Sequence, residues 1–199
     1  MICRQGVRRW SAYLCLAVIV CHGTIRPAAA EVNWSAAGAA DWSTGTNWSS
    51  TTVPGANDWV LFRTLDPAPA TDMTIDGGLI SGGLLQVQTI AFGLDTAATL
   101  GSAGSVAATL RLNGPTANNP FADLLAVTGE GNLTIRPLTG GTAALGIELN
   151  SSGSFRITND SVTLGIDSVI SQRGGPRSLT KLGLGTLSLT AANSFTGAL

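Results

Sequence analysis

Residues 178–199, which read SLTKLGLGTLSLTAANSFTGAL, decide the fold class. Successive side chains of a β-strand point to opposite faces of its sheet. Leu187 and Leu189 therefore share one face, which we assign to the core. The other face carries small hydroxyl residues, namely Thr186, Ser188 and Thr190. The stretch predicts a short strand with one buried face.

The alternation changes phase just before this strand. Leu182 and Leu184 have the opposite parity from Leu187 and Leu189. A glycine inside such a run usually marks a bulge or a corner. We therefore expect the chain to bend at Gly185.

The same stretch resembles the passenger-associated strand repeat of bacterial autotransporters, whose consensus reads LTKxGxGTLTLxGxNTYTGxT. The residues that match it are Leu179, Thr180, Lys181, Gly183, Gly185, Thr186, Leu187, Leu189, Asn193, Phe195, Thr196 and Gly197. The resemblance implies a right-handed parallel β-helix, that is, a single-chain β-solenoid. Leu179 and Leu199 are twenty positions apart, which is about one coil in the family.

The rest of the chain reads as all-β with tight corners. The one brief helix candidate spans residues 119–127. Strand-like runs separated by Gly, Asn, Asp or Pro occupy residues 73–76, 84–92, 108–113, 124–128, 133–138, 145–149, 155–158, 162–170 and 186–190. A β-sandwich also fits these spacings, but the terminal repeat favours the β-helix. At about twenty residues per coil, residues 73–199 would form roughly six coils.

The first thirty residues have the layout of a secretory signal peptide. Arg4, Arg8 and Arg9 precede an apolar run over residues 10–21, and residues 28–30 are alanines that predict cleavage after Ala30. The run is shorter than the roughly 20 residues that a membrane-spanning helix needs. We expect no transmembrane span in the mature chain. A twin-arginine signal at Arg8 and Arg9, or lipidation at Cys21, are weaker alternatives.

Removing this leader removes every Cys and the one His of the chain. The mature protein then has no disulfide and no thiol or imidazole ligand for zinc. Charged residues make up only 12% of the sequence, against about 25% in typical proteins. After Ala30 twelve acidic residues face seven basic ones, a formal charge of about −5, and no basic face for nucleic acid is evident.

Residues 31–72 form a Trp-rich segment that we predict caps the coils of residues 73–199. It contains Trp34, Trp42, Trp48 and Trp59, and its stretch 47–62, NWSSTTVPGANDWVLF, resembles the opening of the same passengers. Amphipathic aromatics would cover an open core end while their indole N–H groups find partners. The alternative is that these rings stack on sugars.

Catalytic chemistry has weak support in the sequence. A β-helix polysaccharide lyase or hydrolase would need paired acids, and Asp72 and Asp76 share strand parity, but an Asp at the end of a strand usually begins a turn. With no His after residue 30, a Ser-His-Asp triad cannot form. We expect no enzyme activity, no catalytic residues, no metal site and no cofactor.

The resemblance implies an exported, non-enzymatic passenger fragment at the bacterial cell surface, associated with the outer membrane, or secreted. In the family such repeats extend a stalk and assist export, and adhesion resides in variable segments. The expected partner is a C-terminal β-barrel translocator, which this chain does not contain, or another export route. A host surface or a glycan is a further candidate partner, and a secreted glycan-binding module is the alternative function.

Overall fold

The structure, a computed structural model, describes residues 29–37, 39–63, 72–78, 80–102, 106–117, 119–137 and 144–199. Nearly all of the predicted leader lies outside these residues. Within them the fold is all-β, with sixteen strands whose pairings are all parallel. Two short 3₁₀ turns, Gly45–Asn47 and Ser81–Gly83, are the helical elements that these residues contain.

The strands form three sheets. Sheet I contains, in spatial order, β1 (Glu31–Asn33), β3 (Trp59–Arg63), β6 (Thr89–Gly93), β9 (Leu125–Val127), β12 (Gly153–Ile157) and β15 (Leu179–Leu182). Sheet II contains β2 (Ala40–Asp41), β4 (Asp72–Ile75), β7 (Ala98–Ser102), β10 (Leu133–Pro137), β13 (Thr163–Ile166) and β16 (Thr186–Leu189). Sheet III contains β5 (Leu84–Val87), β8 (Ala108–Leu112), β11 (Leu145–Leu149) and β14 (Ile170–Gln172).

From β3 onward the chain visits sheets I, II and III in a fixed rotation, so each strand pairs with the strand three positions later. The sequence distance between partners varies. Leu164 pairs with Leu187, 23 residues later, whereas Ala108 pairs with Leu145, 37 residues later. The expected period of about twenty residues is therefore too short. From β4 onward each sheet holds four or five strands rather than six.

Two of the sequence-based strands are each two strands in the structure. The run 84–92 bends at the buried Gln88 into β5 and β6, and the run 162–170 divides into β13 and β14. The prediction missed β7, whose sequence ATLGS contains only one large apolar residue. The brief helix candidate over residues 119–127 forms no helix, because the chain there is irregular as far as Leu124 and then forms β9, within the predicted strand run 124–128.

Inward side chains of paired strands lie above one another in continuous apolar rows. One row of sheet I contains Val60, Ile90, Leu125 and Phe155, and one row of sheet II contains Ala98, Leu133, Leu164 and Leu187. All but Leu187 are buried in a single core cluster. Parallel strands lie about 4.8 Å apart, so each inward side chain packs on the next.

The terminal repeat adopts the orientation that its sequence predicts. Leu187 and Leu189 are half-buried and pack against the core cluster. The predicted bend lies between β15 and β16, where Gly183 has a φ of +80°. A Cβ at Gly185 would lie 2.6 Å from the carbonyl oxygen of Val162. A side chain at Gly185 would therefore prevent this close approach of the backbone.

Replacing the corner glycine tests this packing. We expect Gly185→Ala to lower the free energy of unfolding by at least about 1–3 kcal/mol, because the new methyl group overlaps backbone and side-chain atoms. Gly175→Ala is the matched control, since a Cβ there has no neighbour within 4 Å. Chemical denaturation followed by circular dichroism compares the two variants. Equal stabilities would show that the corner is not closely packed.

The Leu133, Leu164 and Leu187 row tests the position of the core. We expect Leu164→Ala to destabilise the protein by about 3 kcal/mol, since Leu164 is fully buried between two strands. Leu187→Ala should cost about 1 kcal/mol, because Leu187 is only half-buried in the same row. Denaturant midpoints measure the difference. A larger loss at Leu187 would contradict the assigned core.

Candidate functional site

The outer face of sheet I carries an apolar stripe that is covered. Leu61, Ala91 and Ala126 are cross-strand neighbours on β3, β6 and β9, and their inward neighbours belong to the main core. The three outward residues are only 3%, 6% and 4% exposed. They form a second, separate apolar cluster, against which Trp59 and Phe121 pack. The stripe is therefore a buried surface outside the main core.

The cover is formed by the described residues of the connection between β8 and β9, 114–117 and 119–123, which we call the strap. Phe121 is the large apolar side chain that it places against the stripe. Asn119 Nδ2 donates hydrogen bonds to Gln88 Oε1, at 3.2 Å, and to Thr89 Oγ1, at 3.0 Å. The Phe121 amide donates to Asn119 Oδ1, which fixes a tight turn at Pro120. These contacts hold the middle of the strap on β6.

An ion pair and a hydrogen bond, both to Asp123, hold the C-terminal end of the strap. Asp123 is 6% exposed, and its carboxylate accepts hydrogen bonds from Ser154 Oγ and from Arg156 Nε, the latter at 2.7 Å. Ser154 and Arg156 both lie on the outer face of β12. The buried carboxylate is thus paired and hydrogen-bonded, as a buried charge must be. Regular pairing resumes at Leu124, whose amide donates to the Ser154 carbonyl oxygen.

An open cleft of about 220 Å³ lies beside the stripe. Its lining residues are Leu61, Phe62, Arg63, Ala91, Gly93, Phe121 and Thr128. Arg63 Nη2 lies 3.4 Å from Glu31 Oε1, and both side chains are largely exposed. The polar side chains of the cleft are therefore one guanidinium and one hydroxyl, which can bind a polar group but supply no general acid or base near neutral pH.

Acidic residues of the described chain are distributed over several surfaces. Glu31 on β1 pairs with Arg63, Asp123 in the strap pairs with Arg156 on β12, and Glu148 on β11 pairs with Arg111 on β8. Asp76 Oδ1 accepts a hydrogen bond from the Gly78 amide just after β4, so it begins a turn. Within the residues that the structure describes, no three His, Cys, Asp or Glu side chains are grouped as metal ligands.

Three of the four tryptophans of residues 31–72 are core residues. Trp34, Trp42 and Trp48 are at most 3% exposed and surround Phe62, with ring centroids 5.3–5.6 Å from it. Edge-to-face contacts of 4.8 and 4.9 Å join Trp48 to Trp34 and to Trp42. This aromatic cluster buries a large apolar area. It leaves no exposed face on these three rings for stacking on a sugar.

The indole N–H groups do not all find partners, contrary to the sequence-based expectation. Trp48 Nε1 donates to the Trp42 carbonyl oxygen at 2.8 Å. The buried Nε1 atoms of Trp34, Trp42 and Trp59 have no hydrogen-bond partner. Ring packing, rather than hydrogen bonding, therefore places Trp34 and Trp42.

The outer edge of β1 is covered by a short antiparallel segment, residues 47–49. The Ser35 amide donates to the Asn47 carbonyl oxygen, and the Ser49 amide donates to the Asn33 carbonyl oxygen. Ser49 Oγ also accepts from the Asn33 amide. Exposed edge strands invite pairing with other chains, so this segment protects the edge. The Trp-rich segment contributes β1, β2 and β3 to the same ladders as the later strands.

No protein-family model, curated protein or solved structure matches this chain. In the described part of the chain, no helix has the length and apolar content needed to cross a membrane. The sequence did not single out the stripe, the strap or the cleft. The sequence of β3 does indicate the stripe. Its consecutive residues Val60, Leu61 and Phe62 are all apolar, so both faces of the strand are apolar, as in strands covered on both faces.

The Trp48 hydrogen bond can be isolated by a matched pair of substitutions. Trp48→Phe removes ring volume and leaves the Trp42 carbonyl oxygen without this donor, whereas Trp42→Phe removes similar volume and an N–H group that has no partner. We expect Trp48→Phe to cost about 1 kcal/mol more than Trp42→Phe. Urea denaturation measures both. Equal losses would mean that the bond contributes no net stability.

Proposed function

We propose that the three sheets wind as a right-handed parallel β-helix, with one coil for each passage through sheets I, II and III. Two observations support this proposal. The chain visits the sheets in a fixed rotation, and every strand pairs in parallel with its counterpart in the neighbouring passage. The inward rows then form one continuous core along the axis, as expected when each repeat contacts its neighbours.

We further propose that the protein is an exported, non-enzymatic passenger of an autotransporter-like surface protein, where it serves as a stalk. The observation that carries this proposal is the in-register parallel ladder, combined with the terminal repeat. Such an architecture lengthens by adding passages without changing the existing ones. Residues 178–199, which resemble the passenger-associated repeat, pair with β12 and β13 as one more passage.

Export and location follow from the same proposal. The signal-peptide pattern of residues 1–30 directs the chain out of the cytoplasm, and a β-barrel translocator or another export route brings it to the surface. The repeat assists export because its strands pair on those already folded. A role in adhesion rests on the family alone.

The alternative functions have less support. Glycan binding by the Trp-rich segment is not proposed, because three of its four tryptophan rings are buried. A lyase or hydrolase is not proposed, because the ion-paired acids Glu31, Asp123 and Glu148 lie apart, on β1, on the strap and on β11. The cleft on sheet I has no carboxylate among its lining residues.

Export of repeat variants tests the proposed function. In a Gram-negative host that carries the complete natural gene, we expect Leu189→Asp to reduce protease-accessible surface protein several-fold, because it buries an unpaired charge at the core end of β16. Ser188→Asp, on the outward face of the same strand, is the control and should be exported normally. Intact mass should show the loss of residues 1–30.

Two results would contradict the proposal. Equal export of the two Asp variants would mean that the repeat does not assist export through its folded core. Wild-type protein that stays in the cytoplasm with its first thirty residues attached would refute the exported location.

A further inference from the structure

The two ends of the parallel ladders are covered to different extents. At the end that contains β1 and β2, three buried tryptophans surround Phe62. At the opposite end lie residues 173–199, which contain β15 and β16 and which we call the β15–β16 passage. Its Leu187, Leu189 and Phe195 pack against the core but are only half-buried. This passage therefore presents apolar surface of the kind that the inner passages bury.

The backbone of β16 has one paired edge and one unpaired edge. The amides of Thr186 and Thr190 donate to backbone carbonyl oxygens on the β13 side. Because successive residues of a strand direct their backbone groups to opposite edges, those of Leu187 and Leu189 point away from β13. Among the described residues, no strand follows β16 in sheet II. An edge of this kind is a template for the addition of a further strand.

The neighbouring strand β15 is less suited to such an addition. The Leu179 amide at its start already donates to the Ala198 carbonyl oxygen at 2.9 Å. Lys181 is in register with Phe155, so it occupies the next position of the inward row of sheet I that contains Val60. An inward-pointing charge discourages the pairing of an apolar strand with an edge. Strand addition is therefore favoured at β16.

The β15–β16 passage also differs in charge from the preceding part of the chain. It contains Arg173, Arg177 and Lys181 and no acidic residue, whereas residues 31–172 contain twelve acidic and four basic residues. Complementary charges steer association and help to select a partner. The partner that suits this end of the ladders is therefore acidic.

A second copy of this chain does not suit this end. Two β15–β16 passages placed against each other would bring like charges together, which opposes association. The other end of a copy presents β1, and residues 47–49 already cover its outer edge. The partner of β16 is therefore a different polypeptide.

We propose that the outer edge of β16 docks an acidic, extended segment of another polypeptide as an added β-strand. The backbone groups of Leu187 and Leu189 bind the segment, and its alternate apolar side chains continue the inward rows of these two leucines. In this mode of recognition the backbone bonds supply affinity and the alternate side chains supply specificity. The pairing continues the interface that β16 makes with β13. The proposal rests on strand pairing and charge, and it does not depend on the proposed stalk function.

A labelled peptide that alternates Glu and Val tests the proposal with the purified protein. We expect its fluorescence anisotropy to rise on binding, and a peptide that alternates Lys and Val to bind at least several-fold more weakly. Hydrogen exchange measured by NMR locates the site. The amides of Leu187 and Leu189 should exchange several-fold more slowly when the Glu–Val peptide is bound. The Ser188 amide, which faces β13, should not change.

A matched pair of substitutions tests the role of charge. Lys181→Gln should weaken binding of the Glu–Val peptide several-fold. Arg63→Gln removes the same charge at the far end of sheet I and should leave binding unchanged.

Three results would overturn the proposal. Equal binding of the two peptides would show that charge does not select the partner. Absence of binding, or protection that does not alternate along β16, would show that this edge docks no strand. A doubled mass in light scattering without peptide would identify a second copy as the occupant. These measurements do not involve export, so their failure is distinct from a failure of the proposed function.

Discussion

The constraint on which the structure depends is the register between strands that are 23 to 37 residues apart in sequence. A shift of one residue would turn every inward side chain of a strand to the outer face. The inward rows oppose such a shift, because it would turn Leu164 away from Leu133 and Leu187. Backbone pairing and side-chain packing thus specify the same alignment in each sheet.

Most of the variation in the sequence distance between paired strands comes from the connections, since every strand has only two to five residues. The connection between β15 and β16 is short and closely packed. In it Gly183 has a positive φ, and Gly185 lies directly against β12 and the turn after it. Where residues are inserted, they lie outside the ladder and need contacts of their own. The strap is such an insertion, and the stripe beneath it gives its Phe121 an apolar surface. The same paired strands are therefore joined by connections that differ in length and in the contacts that hold them.

Much of the strand content could be predicted from the sequence, and much of its arrangement could not. Leu187 and Leu189 alternate with hydroxyl residues, so their common face was evident from the pattern alone. The run 84–92 contains apolar residues on both sides of Gln88, and nothing local indicates that the chain changes sheets there. The strap has no strand pattern of its own, and the brief helix candidate over residues 119–127 forms no helix. The position of the strap depends on partners such as Gln88 and Ser154, about thirty residues away.

Two surfaces of the described chain, the outer edge of β1 and the outer face of sheet I, are covered in different ways. The outer edge of β1 would have unpaired backbone groups, and residues 47–49 cover it by backbone hydrogen bonds. The side chain of Trp48 from the same segment is buried in the core. The outer face of sheet I is apolar, and a side chain covers it: Phe121 packs on this face, and the hydrogen bond from Asn119 to Thr89 holds the strap in place. The cover of β1 therefore depends on backbone pairing and on the packing of Trp48, whereas the cover of sheet I depends on the side chains of Asn119, Phe121 and Asp123.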